Sequence, residues 1–574
     1  PPHPTNAIAP TEAPKNEALN NQDTQAWRAQ VNYRPSDELE INIALDGLKS
    51  DRNSVLGINI SDTFGSTVEQ NAPGIDQVSW SNPGRETRDI LGASIIVDYD
   101  LENDFAFKSI TANRNSEINI SEDLDYSAID FVSMNFADEY NQFTQEFQLI
   151  SPNSSTLKYV VGLYYLKDDA DTSRNVINGN GAFYFSDIAN FKFNYPNTLT
   201  TNMGNLETVS KAMYISGSYQ IDKRWNLGFG VRYSVEDKAI DWALDGRNSG
   251  LLGIASTPDG GLQDKRSDSD ISPMISLGYA YNQETNVYGK FSTGFKSGGY
   301  NLDFVDPSAL ASGLEFDKET ASSFEIGVKT VLLDGDLSLN TAIFSTKFED
   351  YQVPQFFVLG SNNGVETTSV RIENAAEVDT KGFEIEALYI LTENLTINAS
   401  LGLLDASFNN FPNGIKPRDP VTGVPSPAEN AQGKRLPGAA ELSASLGIQY
   451  YKNIDALGAD LLLRLDATHS GDYYTTIENV KSRGLNGSHP FTAALDISNF
   501  GQINSVPYGY VDAHTLINAR IGLLDNDDTW EIYLWGRNLT NEDQYVDTLR
   551  GFFGSLAVTP QTPRTYGVEF LLNF

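Results

Sequence analysis

The feature that most restricts this chain is a period of two in hydrophobicity, repeated along nearly all of its length. Trp27, Ala29, Val31 and Tyr33 alternate with Arg28, Gln30 and Asn32. After Arg34-Pro35-Ser36-Asp37-Glu38 the alternation resumes, with Leu39, Ile41, Ile43 and Leu45 set against Glu40, Asn42 and Asp46. Such a pair is a hairpin with one apolar and one polar face. Near 395 the pattern recurs as Leu395, Ile397, Ala399, Leu401 and Leu403 against Thr396, Asn398, Ser400 and Gly402. No helical period of comparable length competes with it. No run of eighteen or more apolar residues occurs, which excludes a transmembrane helix but not a membrane strand of roughly ten alternating residues.

The hairpins share an asymmetry. Short turns rich in Asp, Asn, Pro and Gly fall near Ser36, Asn103, Asn153, Asp222, Glu284, Gly335, Glu393, Asp455 and Asn526. Between hairpins lie long connections, at about 49–90, 167–209, 236–270, 298–319, 350–375, 407–439 and 471–509. Compact domains rarely carry so many long loops. Short turns on one side and long loops on the other mark a transmembrane antiparallel β-barrel of the outer membrane of a Gram-negative bacterium. The apolar face then meets lipid and the polar face lines the lumen. Aromatic residues near strand ends (Trp27, Tyr33, Tyr219, Trp225, Tyr281, Tyr450, Tyr451) fit the two membrane interfaces. The count is about nineteen strands. The first strand, about 26–34, and the last, 564–574, both run toward the short-turn side. Nineteen antiparallel strands would meet at a parallel seam, so an odd number of further strands is expected before residue 26. Three would give twenty-two, as in plugged outer-membrane transporters.

Composition narrows the functions. The 574 residues carry 40 Lys+Arg and 76 Asp+Glu, a formal net charge of −36, which argues against nucleic-acid binding. The excess of acid reads as solvated loop surface. Cysteine is absent, so no disulfide or thiolate metal site can form. The four histidines, His3, His469, His489 and His514, have no metal-ligand spacing, and no Ser–His–acid set can be assembled. The expectation is no enzyme, no cofactor and no metal site. Ser267-Asp268-Ser269-Asp270 lacks the spacing of a calcium loop and reads as surface charge.

Four stretches resemble the TonB-dependent outer-membrane receptor and transporter family, in its barrel portion. They are Gly294-Phe295-Lys296-Ser297-Gly298-Gly299-Tyr300-Asn301; Ser323-Phe324-Glu325-Ile326-Gly327-Val328-Lys329; Gly382-Phe383-Glu384-Ile385-Glu386 after Asn374-Ala375-Ala376; and Gly536-Arg537-Asn538-Leu539-Thr540-Asn541-Glu542-Asp543-Gln544-Tyr545. The resemblance covers residues 23–574, which form the barrel. It implies an active importer of a scarce, large nutrient, with an N-terminal plug in the lumen. It also implies energy delivered by the inner-membrane TonB–ExbB–ExbD complex. No plug or TonB-gripping segment is found in the chain, so the plug and about three strands are expected to lie upstream. On this reading 1–22, with Pro1, Pro2, Pro4, Pro10 and Pro14, is the remnant of an extracellular loop or a tail. The expected ligand is a metal chelate such as a ferric siderophore. A glycan or other large organic nutrient is the alternative, as is a passive porin or a structural surface barrel.

Candidate ligand contacts follow from residue type. Parity from Tyr288, Lys290 and Ser292 points Lys296 into the lumen, where it either meets an anionic ligand or plug carboxylate or pairs with a neighbouring acid. Gly298-Gly299 lets the chain turn as the strand ends, and Tyr300 follows. Aromatic clusters supply rigid area for flat or sugar-like ligands, or pack loop on loop or against lipopolysaccharide. They are Phe183, Tyr184, Phe185, Phe191, Phe193 and Tyr195; Phe356 and Phe357; Phe411 with Phe408; Tyr473 and Tyr474; and Phe552 and Phe553. The chain ends RTYGVEFLLNF. Tyr566, Val568, Phe570, Leu572 and Phe574 form the lipid row of the closing strand, with Gly567, Glu569, Leu571 and Asn573 turned inward. A terminal Phe on such a row resembles the signal read by the barrel assembly machinery. Outer-membrane lipid and lipopolysaccharide complete the expected partners.

Overall fold

The computed structural model describes residues 21–573 except 22, 54–57, 62–81, 83, 125–131, 180–198, 248–253, 304, 306, 363–364, 416–426, 480, 484–505, 508 and 551–555. Nineteen strands form one sheet, each antiparallel to its sequence neighbour. They are β1 (Thr24–Tyr33), β2 (Leu39–Arg52), β3 (Arg85–Asp100), β4 (Ala106–Asp123), β5 (Val132–Ile150), β6 (Leu157–Asn178) and β7 (Leu199–Gln220). There follow β8 (Trp225–Asp245), β9 (Leu262–Ala280), β10 (Thr285–Lys296), β11 (Glu319–Leu332), β12 (Leu337–Asn362) and β13 (Val365–Thr392). The last six are β14 (Leu395–Asn410), β15 (Leu442–Ile454), β16 (Ala459–Ser470), β17 (His514–Asp525), β18 (Trp530–Arg537) and β19 (Thr565–Leu572).

All nine expected short turns sit where the sequence places them. Asn103 and Asp334, with φ of 62° and 57°, show why Asn and Asp recur there: they tolerate the left-handed region. The strands leave connections close to the expected ones at 49–90, 298–319, 407–439 and 471–509, but those at 167–209 and 236–270 are shorter than expected, because β6 reaches Asn178, β7 begins at Leu199, β8 reaches Asp245 and β9 begins at Leu262. Residues 350–375 are not a loop. They continue β12 and β13, which pair from Leu337↔Tyr389 up to Asn362↔Val365. The pattern is broken there because the register shifts at Phe348/Tyr351 and at Glu377/Val378, and Asp350 takes φ 53°. Each bulge flips the side-chain parity and so erases the period of two.

Exposure identifies the outer face. Ile271 and Ile275 of β9, Met203 and Met213 of β7, and Ile343 of β12 are each more than half exposed, as an apolar row facing lipid must be. Residues of opposite parity line the interior. Three tyrosines of that inner face lie flat across a glycine of the neighbouring strand: Tyr214 over Gly162, Tyr288 over Gly327 and Tyr533 over Gly522. Each hydroxyl donates to a glutamate on the same wall, Tyr214 to Glu146 at 2.5 Å, Tyr288 to Glu325 at 2.7 Å and Tyr533 to Glu531. A Cβ on Gly162 or Gly327 would fall within 2.5 Å of the ring, so the glycine is what allows the ring to cover the strand.

The sheet has two edges. No ladder joins β1 to β19 among the described residues. Every residue of β1 is exposed, and Tyr566 and Val568 of β19 are 79% and 71% exposed.

Candidate functional site: the extracellular mouth

At mid-height the lumen wall is polar and mostly paired. Arg114 donates to Asp46 at 2.7 Å, Arg464 to Asp466 at 2.7 Å and Arg520 to Glu569 at 2.7 Å. Arg520 also sits 3.5 Å above the Tyr533 ring. Arg232 covers the rings of Tyr164 and Tyr214. Such a wall is wet and charged, as a passage for a polar solute requires.

Toward the mouth the interior changes. The segment between β10 and β11 folds inward along the lumen faces of β6 to β9. Lys238 of β8 donates to Ser297 Oγ at 2.8 Å and to the Gly298 carbonyl at 2.7 Å. Arg266 of β9 donates to the Phe316 carbonyl at 2.7 Å and to Glu315 at 3.1 Å, with its fork on Asp268. Asn202 of β7 donates to the Leu302 carbonyl and accepts the Trp242 indole N–H, each at 2.5 Å. Arg174 of β6 lies 3.6 Å from Asp303 and binds Asp138. Beneath these bonds Trp242, Leu244, Ala255, Val305 and Leu314 form an apolar core inside the mouth.

A second core faces the mouth from β12 to β14. Val353, Ala376, Val378, Phe408, Phe411, Ile415 and Ala431 are buried together. Asn301 ties the two sides: its amide donates to the Ile372 carbonyl at 3.1 Å and accepts the Ile372 N–H at 2.7 Å. This is the pairing that a strand would make, supplied by one side chain.

The residues expected to touch ligand meet different fates. Lys296 is exposed on the lumen parity of β10, and it makes no ion pair or hydrogen bond among the described residues. Its opposite number, Glu319, is buried and accepts the Gln352 N–H at 2.8 Å instead. Tyr300 packs on the β8–β9 core with its hydroxyl buried and unpartnered; burial and the carboxylates of Asp264 and Glu315 push it up to about 12. Phe411 is a correction. It is fully buried, 5.3 Å from the Phe408 ring, and offers no surface to a ligand. Tyr473 donates to the Val546 carbonyl at 2.8 Å. Tyr474 packs 5.3 Å from Tyr510, with Arg435 over its own ring and Lys481 4.1 Å over that of Tyr510. Phe183, Tyr184, Phe185, Phe191, Phe193, Tyr195, Phe552, Phe553 and Phe574 lie outside the described residues, and Phe356 and Phe357 are placed only as backbone of β12.

The motifs can now be read physically. Glu325 and Gly327 accept and underlie Tyr288, and Gly382 lies under Phe344. Asn538, buried at φ 48°, donates to the Glu542 and Thr562 carbonyls at 2.9 and 3.0 Å and accepts the Glu542 N–H at 2.7 Å. That one side chain shapes the whole turn after β18. Sequence reasoning did not single out Arg266, Trp242 or Asn202. Their one signal was lumen parity on unusually long strands.

Residues 21–539 match the family described as TonB dependent receptor-like, beta-barrel. The chain belongs to this family of TonB-dependent receptors. Its barrel accordingly lies in the outer membrane. The pesticin receptor of Yersinia enterocolitica is 24% identical over 278 residues, which is 48% of this chain and 36% of that receptor. The chain thus spans about a third of the length of that relative. Among solved structures, the ferric yersiniabactin uptake receptor FyuA from Yersinia pestis aligns with a TM-score of 0.70 at 16% identity, over 97% of this chain and 71% of that one. The siderophore receptor PiuA from Acinetobacter baumannii gives 0.66 at 16% identity, over 96% and 74%. These likenesses are of fold.

Proposed function

We propose that this chain is the barrel of an active importer of a scarce metal chelate, most simply a ferric siderophore, energised through the TonB–ExbB–ExbD complex. The observation that carries this is the lumen. It is lined by paired charges at mid-height and narrowed at the mouth by inward-packed loops, which suits a polar solute taken from outside. Family membership supports coupling to TonB, and the neighbours named for ferric yersiniabactin and for siderophore support the ligand class. The test is uptake of radiolabelled iron from a panel of ferric siderophores by cells carrying the full-length gene, with and without TonB. TonB-dependent uptake of at least one chelate is expected. Uptake of oligosaccharide alone would move the assignment to a glycan receptor, and conductance by the purified full-length protein without TonB would make it a porin.

The reading includes further strands and a plug. β1 and β19 each present an unpaired edge, and an open edge in lipid leaves backbone N–H and C=O groups unsatisfied at several kcal/mol each. Three strands between them would restore antiparallel pairing all round. In the full-length protein the Trp27–Tyr33 amides should then exchange as slowly as those of β2; fast exchange there would remove the three-strand closure.

A further inference from the structure

We infer that the segment between β10 and β11 is a fixed strap inside the extracellular mouth, held against the lumen faces of β6–β9 and locked by the buried guanidinium of Arg266. The inference rests on the barrel reading and is independent of which ligand is carried.

Ile271 and Ile275 fix the lipid side of β9, so Arg266, Asp268 and Asp270, of the other parity, face the lumen. The strap covers that face. The Arg266 side chain is only 6% exposed, and every one of its described contacts is at the wall or on the strap itself. It takes Asp268 on the wall with two bonds at 3.0 and 3.1 Å, and on the strap it takes Glu315 and the Phe316 carbonyl. Asp268 in turn accepts the Gly298 N–H at 3.1 Å, so one ion pair holds both ends of the strap. Burial acts to lower the Arg266 pKa, but hydrogen bonding to Asp268 and the charges of Asp268, Glu315 and Asp317 together raise it, so the group stays charged. A lifted strap would strip this charge of two of its partners. Gly298 completes the fit. A Cβ there would stand 2.1 Å from Arg266 Nη2 and 2.4 Å from the Phe316 carbonyl oxygen.

The remaining ties share the load across the wall. Asn374 of β13 exchanges two hydrogen bonds of 2.6 Å with the Asp317 backbone. Gln352 of β12 donates to the Ser297 and Asp317 carbonyls at 2.9 and 3.0 Å. Lys238, Asn202 and Asn301 hold 297–302 as described above. A lid that opened with each ligand would have to break polar contacts to six strands, most of them partly buried. Movement during passage is therefore left to other loops, and Arg266 acts as a positioning residue for this one.

The test is amide hydrogen exchange on the full-length protein in outer-membrane preparations. Peptides covering 297–303 and 314–318 should exchange as slowly as β9 and β10. Arg266→Gln should accelerate both by tenfold or more and leave β2–β5 unchanged, with Arg266→Lys between the two. Lys211→Gln, on the outer surface, should leave both peptides slow. A second measurement needs no change at Arg266, since the 574 residues given contain no cysteine to compete with introduced ones. Spin labels at Ala311→Cys in the strap and Glu284→Cys in a short turn should report one narrow distance. A broad distribution, fast exchange in the unaltered protein, or slow exchange in a folded Arg266→Gln variant would each overturn the strap.

Discussion

The lower wall of this barrel and its mouth are built from the same strands by different rules. In the lower wall inner residues such as Tyr288 and Lys290 stay partly or fully exposed, and stability comes from cross-strand pairs such as Tyr288 on Gly327 and Glu325. In the mouth the same inner parity buries side chains completely: Trp242 is 1% exposed, Phe408 1% and Val378 0%. The difference teaches that lumen parity has no single chemistry. A side chain facing the lumen stays polar where the passage is open and becomes core where a loop folds in upon it.

The comparison breaks most sharply at Trp242. Trp242→Ala removes the largest side chain of the β8–β9 core and orphans Asn202, which holds the Leu302 carbonyl. Large-to-small changes of this kind cost about 3–5 kcal/mol. Exchange at 299–303 should rise by two orders of magnitude or more, while β1–β5 stay unchanged. Equal acceleration in both regions would mean that mouth and wall are one cooperative unit.

The lower wall offers the counterpart. Gly327→Ala places a Cβ 2.5 Å from the Tyr288 ring and should push the ring off the strand, parting its hydroxyl from Glu325. Overpacking costs about 1–3 kcal/mol. The unfolding temperature of the barrel, followed by its heat-modifiable migration in gels, should fall by a few degrees. Tyr288→Phe, which keeps the ring and loses the bond, should cost less.

How much of this was legible in sequence follows the same division. The lower wall was. Alternation from Tyr288 through Lys290 put Lys296 on the lumen parity, and Asn and Asp in short runs marked every turn. The mouth was not. Phe408 and Phe411 read equally well as ligand contacts or as packing, since both uses want an aromatic ring in a loop. The hairpin of β12 and β13 was hidden because its bulges reset parity near Asp350 and Glu377. Asp268 read as surface charge and is in fact nearly buried, because nothing local says that Gly298 and Phe316 will fold back onto Asp268 and Arg266. Contacts between residues 50 apart leave no periodic trace.

A pH test sharpens the rim at the top of β4, two strands from β6. Glu122, near the top of β4, is pushed up to about 7 by burial and by the neighbouring Glu86 carboxylate. Glu86 itself is held by Arg52 at 2.7 Å and by Arg88. A carboxyl whose folded pKa is raised binds more protons folded than unfolded. Its contribution is therefore full below the ordinary carboxylate range and is lost as pH climbs through about 7. After allowance for solvent screening the change is roughly 1–2 kcal/mol. Exchange at 121–124 should quicken between pH 5 and 8 beyond its intrinsic rise. Glu122→Gln should flatten that excess, and an unchanged excess would assign it to another group.

The smallest effect belongs to the open lumen, at Arg520 and Glu569. Their bond of 2.7 Å joins β17 to the final strand across β18, but the two side chains are 37% and 46% exposed. Two exposed charges gain little from each other in water, and holding two long side chains in register costs entropy, so such a pair contributes about 0–1 kcal/mol. Arg520 also stacks 3.5 Å over the Tyr533 ring, which adds about 0.5–1 kcal/mol at an exposed site. Arg520→Ala should therefore cost more than Glu569→Ala, and a double-mutant cycle should return a coupling below about 1 kcal/mol. A coupling of several kcal/mol would mean that water is excluded there, and that the lumen at this height is packed as the mouth is.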